Sequence, residues 1–234
     1  MVKDRNASPI VLVFDVNETL LDVKKLQPHF ERLFHDGAIL KEWFAHMLLY
    51  SQTLTQVGSY ADFGKLAGAA LQMTAEIHGV ALTGEDISAV TQSMRSLPAH
   101  PDIPTALSRL KGHGFRLFAL TNSAEEVTRK QIENAGLTAL FERVLSVGAV
   151  RKYKPVNLHQ KLIGMLRASL GLRPLALTMI AAHPWDLMGA KAAGCRTGFV
   201  ERPGTAWFPL APAPNMRGTD ISELADQLIG SSAQ

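Results

Sequence analysis

After residue 98, short apolar runs alternate with longer stretches whose apolar residues recur at helical spacing. The short runs, which we predict to be strands, are Arg116–Leu120, Val144–Val147, Ala176–Ala182 and Thr197–Val200. The longer stretches, which we predict to be helices, are Pro104–Leu110, Ala124–Ala135, Leu158–Leu170, Trp185–Ala193 and Ile221–Leu228. Strands that alternate with helices of about ten residues predict a parallel sheet covered by helices on both faces. The sequence therefore indicates the α/β class.

Two further segments extend this predicted core. Ile10–Phe14 is a continuous apolar run with β-branched residues, which is typical of a strand buried on both faces of a parallel sheet. Three prolines within Ala206–Met216 predict a surface loop before the last helix.

Between the first strand and residue 98, strand signals are scarce. Apolar residues at helical spacing predict helices over Lys25–Phe34, Lys41–Leu54 and Ala61–His78, and from Thr83 to about Leu97. The Thr83 hydroxyl, with acidic residues behind it, suits a helix N-terminus. We therefore predict an all-helical domain at 21–97, inserted into a core domain formed by 1–20 and 98–234.

Composition argues against several classes of partner. Lysine and arginine total 24 against 21 acidic residues, and basic residues form no long run, so nucleic acid is not an expected partner. No apolar stretch approaches the roughly 18–20 residues that span a bilayer, so a membrane is not expected either. Cys195 is the single cysteine, which excludes an intrachain disulfide and fits a reducing compartment. We expect a cytoplasmic protein.

Polar side chains follow the predicted strands at the points where ligands bind in parallel sheets, the carboxyl ends of the strands. They are Asp15, Asn17 and Thr19 after the first strand, Thr121, Asn122 and Ser123 after the second, Lys154 in the next crossover, and His183, Trp185 and Asp186 after the fourth. Two carboxylates, a lysine, hydroxyls and amides are thus expected at one edge of the sheet.

Four motifs, in this order, resemble those of the haloacid dehalogenase (HAD) superfamily. VFDVNETLLD is similar to its DxxxT motif, whose first aspartate, here Asp15, is the nucleophile. LTNS at 120–123 resembles the second motif, Lys154-Pro155 the third, and AAHPWDLMGAKAAGC at 181–195 the fourth. The resemblance covers nearly the whole chain. It implies a Rossmann-like parallel-sheet core with an inserted all-helical cap domain.

Two motif positions distinguish branches of the superfamily. A Mg²⁺-dependent phosphatase of this type has aspartates where this chain has Asn17 and, usually, Ala182. Mg²⁺ is held by carboxylates in octahedral oxygen coordination, and Asp15 and Asp186 alone would form a depleted site. We therefore expect no metal and no other cofactor, with a phosphatase as one alternative. The pair Trp185-Asp186 is similar to the L-2-haloacid dehalogenase (type II) branch.

That branch implies a two-step reaction on a small-molecule carboxylate. Asp15 would displace a leaving group from the saturated carbon beside the carboxylate, and water would then hydrolyse the aspartyl ester. Lys154 would keep Asp15 ionised, and Asp186 would balance Lys154 and position or deprotonate the water. Thr19 and Thr121 would hydrogen-bond the carboxylate oxygens.

The resemblance also implies groups that bind the substrate. The backbone N–H groups of Val16 and Asn17 would bind the substrate carboxylate or the developing oxyanion. Those of Asn122 and Ser123 are the alternative donors, and Trp185 is expected to contact the substrate. A homodimer formed through the cap is implied as well.

Four positions depart from the dehalogenase pattern. The family has an arginine after a tryptophan in the first long cap helix, whereas Trp43 is followed here by Phe44. A serine and an asparagine of the fourth motif are replaced by Ala181 and His183, and a tyrosine beyond the lysine by Gln160. Because specificity follows such pocket contacts, an ordinary halide is not the expected leaving group.

Two further alternatives follow from these departures. One is ring opening of L-azetidine-2-carboxylate by the same aspartyl-ester route, in which Phe44 faces the cationic amine and His183 supplies or relays a proton. The other is a HAD fold without catalysis, used as a binding or regulatory module. Retention of the nucleophile, the lysine and the second carboxylate argues against this last alternative.

Overall fold

The computed structural model describes residues 11–155, 163–171 and 177–232. Its centre is a six-stranded parallel sheet with the strand order β3-β2-β1-β4-β5-β6. The strands are β1 (Val11–Asp15), β2 (Arg116–Thr121), β3 (Arg143–Ser146), β4 (Leu177–Ala181), β5 (Arg196–Val200) and β6 (Met216–Gly218). The predicted α/β class and parallel sheet are therefore confirmed.

The first strand occupies the middle of this sheet, and its sequence explains why. All five residues of β1 are buried, as expected for an apolar, β-branched run covered on both faces. β2 pairs with it on one side and β4 on the other, and Asp15 lies opposite Leu120 in the register. The carboxylate of Asp15 is thus delivered to the edge at which the neighbouring strands also end.

Helices of the core pack against this sheet and against one another. They are α5 (Ile103–Gly112), α6 (Glu125–Asn134), α7 (Gly164–Leu170), α8 (Pro184–Ala192) and α9 (Ile221–Ser232). Among them, α8 packs against β4 and β5, and α5 packs against α9. Pro184 begins α8, where its missing N–H costs no hydrogen bond, so the loop after β4 turns directly into a helix.

Between β1 and α5 the chain forms a series of helices. After a 3₁₀ turn at Val23–Leu26 come α1 (Gln27–Phe34), α2 (Ile39–Gln56), α3 (Phe63–Ile77), α4 (Gly84–Ser93) and a second 3₁₀ turn at Met94–Ser96. Thr83 caps α4 in a capping box with Asp86, as its sequence predicts. The domain boundaries at 21–97 stay a prediction. Within the described ranges, every helix is too short or too polar to cross a membrane.

Three predicted elements differ from the structure. The loop predicted over Ala206–Met216 ends one residue early, because Met216 begins β6. This strand has only three residues and pairs with β5, so no local periodicity marks it. Ala61 precedes α3, since the Asp62 side chain accepts the N–H of Gly64 and caps the helix. The beginning of the helix predicted over Leu158–Leu170 lies outside the described residues, as does Gln160.

Candidate active site

The loop after β1 carries the predicted nucleophile and its first partner. Asp15 is 6% exposed, and the Thr19 hydroxyl donates a hydrogen bond of 2.8 Å to its Oδ2. The backbone N–H of Ala182 donates to the same Thr19 oxygen at 3.0 Å. A hydroxyl has a single proton, so with Ala182 as the donor to its oxygen, that proton is directed at Asp15.

Lys154 lies between the two predicted carboxylates. Its Nζ is 2.7 Å from Asp15 Oδ1, 2.6 Å from Asp186 Oδ2 and 3.4 Å from the carbonyl oxygen of Leu120. An ammonium group has three N–H donors, and each of these oxygens can accept one. Burial disfavours the charged form of Lys154, but the two carboxylates outweigh it and raise the lysine pKa above its ordinary value. The site therefore holds an ammonium ion.

The segment that carries Lys154 is held from the core and from the inserted helices. Asn122 Oδ1 accepts the backbone N–H of Lys154 at 3.1 Å. The neighbouring Tyr153 is buried; its N–H donates to the Thr55 hydroxyl at 2.8 Å, and its own hydroxyl donates to the Ala61 carbonyl at 2.6 Å. The position of the ammonium group thus depends on contacts with α2 and with the residue before Asp62.

The loop between β4 and α8 brings the second carboxylate and an indole ring. Asp186 lies in the first turn of α8, where the helix dipole favours a negative charge. The ring of Trp185 lies 5.7 Å from Lys154 Nζ, within the range of a cation–π contact. Its Nε1 is buried and has no hydrogen-bond partner among the described residues. This donor is available to a polar atom of a bound molecule.

His183 forms a second charged pair beside the first. Its Nε2 lies 3.0 Å from Glu18 Oε2. Its ring stacks on Phe44 of α2 at 5.8 Å and on Trp185 at 5.5 Å, measured between ring centroids. Burial disfavours the imidazolium, but Glu18, with smaller contributions from Asp15 and Asp186, raises the pKa of His183 above its ordinary value.

A cavity of about 470 Å³ lies against this second pair. Glu18 and His183 line it together with Phe44, and Lys24 and Lys41 add positive charge to its wall. Its volume is in the range of pockets that hold small molecules. A small anionic molecule suits the two lysines.

The predicted roles of Thr121 and Ser123 differ from the contacts that these residues make. The Thr121 hydroxyl oxygen accepts the N–H of Ser123 at 3.1 Å, and the Ser123 carbonyl accepts the Ser146 hydroxyl at 2.7 Å. Thr19 and Lys154 instead provide the described hydrogen bonds to the nucleophile. The N–H of Ser123 is therefore already paired.

Asn17 is buried beside the nucleophile. It is 7% exposed, and its Oδ1 has no hydrogen-bond partner within the described part of the chain. A buried acceptor without a partner costs free energy, which a bound donor recovers. The backbone N–H groups of Val16 and Asn17 stay predicted donors to the substrate.

The sequence does not predict the buried pair that supports the nucleophile loop. Arg202 follows β5 and donates to the Thr19 carbonyl from Nε at 3.2 Å and from Nη2 at 2.9 Å. Its Nη1 is 2.9 Å from Asp102 Oδ1, and Asp102 Oδ2 accepts the N–H of Ile221 at 2.8 Å. No local signal identifies this arrangement, because its members are far apart in the chain. Glu18 was available to sequence reasoning, as the charged residue inside the DxxxT loop.

The donor set does not suit a divalent cation. In the described ranges, no three histidine, cysteine, aspartate or glutamate residues are grouped so that they could hold a metal ion. Asp15 and Asp186 both bind the ammonium group of Lys154, which takes the place between them. Ala182 has no side-chain oxygen to add. A site with these residues offers Mg²⁺ too few oxygens.

Comparisons with known proteins point in one direction. A family model described as haloacid dehalogenase-like hydrolase matches residues 11–194. (S)-2-haloacid dehalogenase 1 of Pseudomonas sp. (strain CBS-3) is 31% identical over 81% of this chain and 83% of that protein. (S)-2-haloacid dehalogenase H-109 of Pseudomonas putida is 26% identical over 93% and 97%. The structure of L-2-haloacid dehalogenase from Xanthobacter autotrophicus with chloropropionic acid covalently bound matches with a TM-score of 0.85 and 25% identity, over 95% of this chain and 99% of that one.

Proposed function

The chain belongs to the haloacid dehalogenase-like hydrolases, and from this premise we propose that it hydrolyses the bond between a leaving group and the carbon next to a carboxylate, without a metal ion. The observation that carries the proposal is the cluster of Asp15, Lys154 and Asp186, in which an ammonium ion joins two carboxylates at the edge of the sheet. The substrate is a small 2-substituted organic acid, the class named in the relatives.

In the first step, an oxygen of Asp15 forms a bond to the substrate carbon, and the leaving group departs with the electron pair of its own bond. The hydrogen bonds from Lys154 and Thr19 fix both oxygens of the carboxylate. Each oxygen keeps a further lone pair for the attack, because a carboxylate oxygen has two. The cluster thus orients the nucleophile for displacement at a saturated carbon.

In the second step, water attacks the side-chain carbonyl carbon of the Asp15 ester. Asp186 accepts a proton from this water, and the bond from the carbonyl carbon to the substrate oxygen breaks to release the hydroxy acid. Lys154 stabilises the negative charge that develops on the ester oxygen, since its ammonium group contacts that carboxylate already. The reaction restores the free carboxylate.

Polar atoms without partners supply the remaining contacts of the proposed substrate. Asn17 Oδ1 and Trp185 Nε1 are both buried and unpaired among the described residues. In this proposal the indole N–H donates to an oxygen of the substrate carboxylate. The amide of Asn17 positions the water of the second step.

A single turnover in ¹⁸O water tests the nucleophile. The label is expected in the side chain of Asp15, found by mass spectrometry of its peptide, because the water oxygen joins the aspartyl carbonyl. Label that enters the product alcohol in the first turnover instead contradicts the ester intermediate. Asp15→Asn is expected to abolish turnover.

A chelator tests the branch. Activity on 2-halocarboxylates is expected to be unchanged by EDTA. Loss of activity with EDTA and its recovery with Mg²⁺ would support the phosphatase alternative in place of this proposal.

Two further features belong to the same proposal. The single cysteine, Cys195, is buried and fits a reducing compartment, which supports a cytoplasmic location. The family resemblance supports a homodimer through the inserted helices, where Tyr50, Leu54 and Met73 line an apolar groove of about 450 Å³. Sedimentation equilibrium distinguishes a 25.5 kDa monomer from a dimer.

A further inference from the structure

The Glu18–His183 pair has no part in the two steps above. Glu18 lies three residues after the nucleophile on the same loop, and its carboxylate meets His183 Nε2 at 3.0 Å. Both residues line the cavity of about 470 Å³. A histidine held at one ring nitrogen by a carboxylate keeps a proton on the other, as in catalytic acid–base pairs. Here the second nitrogen is Nδ1.

Aromatic rings hold this histidine from both sides. Phe44 and Trp185 stack on it with interplanar angles of 27° and 22°, so the imidazole lies between two nearly parallel faces. The faces of aromatic rings attract a cation. The stack therefore favours the protonated ring and fixes its plane.

We propose that the Glu18–His183 pair is an acid that donates a hydrogen bond or a proton to the leaving atom during the attack by Asp15. This inference rests on the proposed function and deepens it, because it names the substrate class. The class is a small 2-substituted carboxylate whose leaving atom is basic, either fluoride or the nitrogen of a ring amine. Heavier halides depart without such help, since they are weak bases.

The electron and proton balance of the step is complete. The Asp15 oxygen forms a bond to the substrate carbon, and the leaving atom takes the electron pair of the bond that breaks. A ring nitrogen takes the His183 proton together with that pair. Fluoride accepts a hydrogen bond from the imidazolium and leaves as the anion. When nitrogen has taken the proton, the proton released by ester hydrolysis restores the imidazolium.

Charged groups on every neighbouring element affect the protonation of His183. On the β1 loop these are Glu18 and Asp15, and on α8 the group is Asp186, all of which favour the cation. Lys154 lies beyond the Trp185 ring, and Lys24 and Lys41 line the same cavity and oppose it. The ion pair with Glu18 is the largest of the favourable contributions.

Leaving-group dependence tests the proposal with His183→Gln. Turnover of 2-fluoropropionate is expected to fall about 100-fold, the lower end for loss of an acid catalyst, and turnover of 2-bromopropionate about threefold or less. His46→Gln is the matched control, because His46 lies on α2, pairs with Thr74 and is outside the cavity lining. Equal losses for the two halides would overturn the proposal, since a structural defect does not depend on the leaving group.

A second measurement tests the role of Glu18. The kcat for the basic leaving group is expected to fall as the pH rises through the raised pKa of His183, and Glu18→Gln is expected to move this fall to lower pH. An unmoved profile would contradict the pairing.

Two substrates distinguish the sources of the leaving group: 2-fluoropropionate for the halide and L-azetidine-2-carboxylate for the ring amine. Release of fluoride, or of the ring-opened amine, is the expected result. Turnover of 2-bromopropionate with neither of these would overturn the inference while leaving the proposed function intact. Failure to label Asp15 with any substrate would instead overturn the proposed function.

Discussion

The strand ends and the inserted helices hold the site by different kinds of contact. At the strand ends, Lys154 joins Asp15 and Asp186 by hydrogen bonds of 2.7 and 2.6 Å, and each partner carries a full charge. On the helix side, Phe44 meets His183 by ring stacking at 5.8 Å. Charged hydrogen bonds require particular atoms, whereas stacking tolerates changes that conserve volume. The strand ends therefore set the reaction, and the helix side adjusts which leaving group it accepts.

Lys154→Met is expected to have the largest effect, because it leaves two buried carboxylates without a cation. We expect turnover to fall on the order of 10³-fold and the free energy of unfolding to fall by about 3–5 kcal/mol at neutral pH. Folding raises the lysine pKa, so this stabilisation is complete below the ordinary pKa of about 10.4 and is lost as the pH rises through the folded value. Urea unfolding at neutral and at strongly alkaline pH measures it.

Lys152→Met is the control for this prediction. Lys152 is exposed and two residues away, so its replacement is expected to change the free energy of unfolding by less than about 0.5 kcal/mol. If both variants had the same turnover, the strand-end cluster would not be the part that sets the reaction.

Arg202→Gln tests the support under the strand ends. The change removes the charge that pairs with Asp102 and weakens the hydrogen bonds to the Thr19 carbonyl, so we expect a loss of about 3 kcal/mol in unfolding free energy. Displacement of Thr19 is expected to lower kcat about 10-fold with little change in KM. Arg109→Gln, at an exposed ion pair, is the control, with an expected loss of about 0–1 kcal/mol.

The Asp102 carboxyl gives this prediction a pH dependence. Burial favours its neutral form, but the hydrogen bonds and charge of Arg202 outweigh burial and lower the Asp102 pKa. A lowered folded pKa stabilises above the unfolded value of about 3.9 and is lost as the pH falls through the folded value. The difference between wild type and Arg202→Gln is therefore expected to narrow in acid. A constant difference would contradict the ion pair as its cause.

Local periodicity was sufficient to predict most of the sheet. The apolar runs predict β1 to β5 because each strand is long enough to be buried along most of its length, and the four ordered motifs predict the family that the match to residues 11–194 confirms. β6 escaped prediction because its three residues depend on pairing with β5. The parallel order also brought Asp15 and Lys154 to one edge, as predicted from the strand ends.

The remaining contacts of the site depend on conformations that the sequence does not encode locally. Glu18 adopts a left-handed φ of 66°, unusual for a residue other than glycine, within the loop that carries it to His183. Arg202 reaches Thr19 across 183 positions of the chain. The predicted contact from Thr121 to the nucleophile is replaced by a bond to Ser123, because a hydroxyl after a strand finds a backbone N–H two residues on.

Tyr153→Phe tests the connection between the two sides, since it deletes the hydroxyl that donates to the Ala61 carbonyl at 2.6 Å. Burial raises the pKa of the Tyr153 phenol, so the group remains a donor at neutral pH. We expect a loss of about 1–1.5 kcal/mol in unfolding free energy, the contribution of one hydrogen bond, and a small fall in kcat through Lys154. Tyr60→Phe is the control, because Tyr60 stacks on Tyr153 through its ring and keeps that contact. Equal losses for the two variants would assign the effect to ring packing.

Phe44→Leu is expected to have the smallest effect and the most selective one. Leucine keeps an apolar side chain in α2 but removes the ring face on His183, so the free energy of unfolding should change by less than about 1.5 kcal/mol. Loss of an aromatic face beside a cation, about 0.5–1 kcal/mol, predicts a two- to fivefold lower kcat for a basic leaving group. Met47→Leu, at a buried position of the same helix, is expected to spare the ratio of fluoride to bromide turnover. If both variants left this ratio unchanged, leaving-group selectivity would belong to the strand ends, and the contrast between the two sides would disappear.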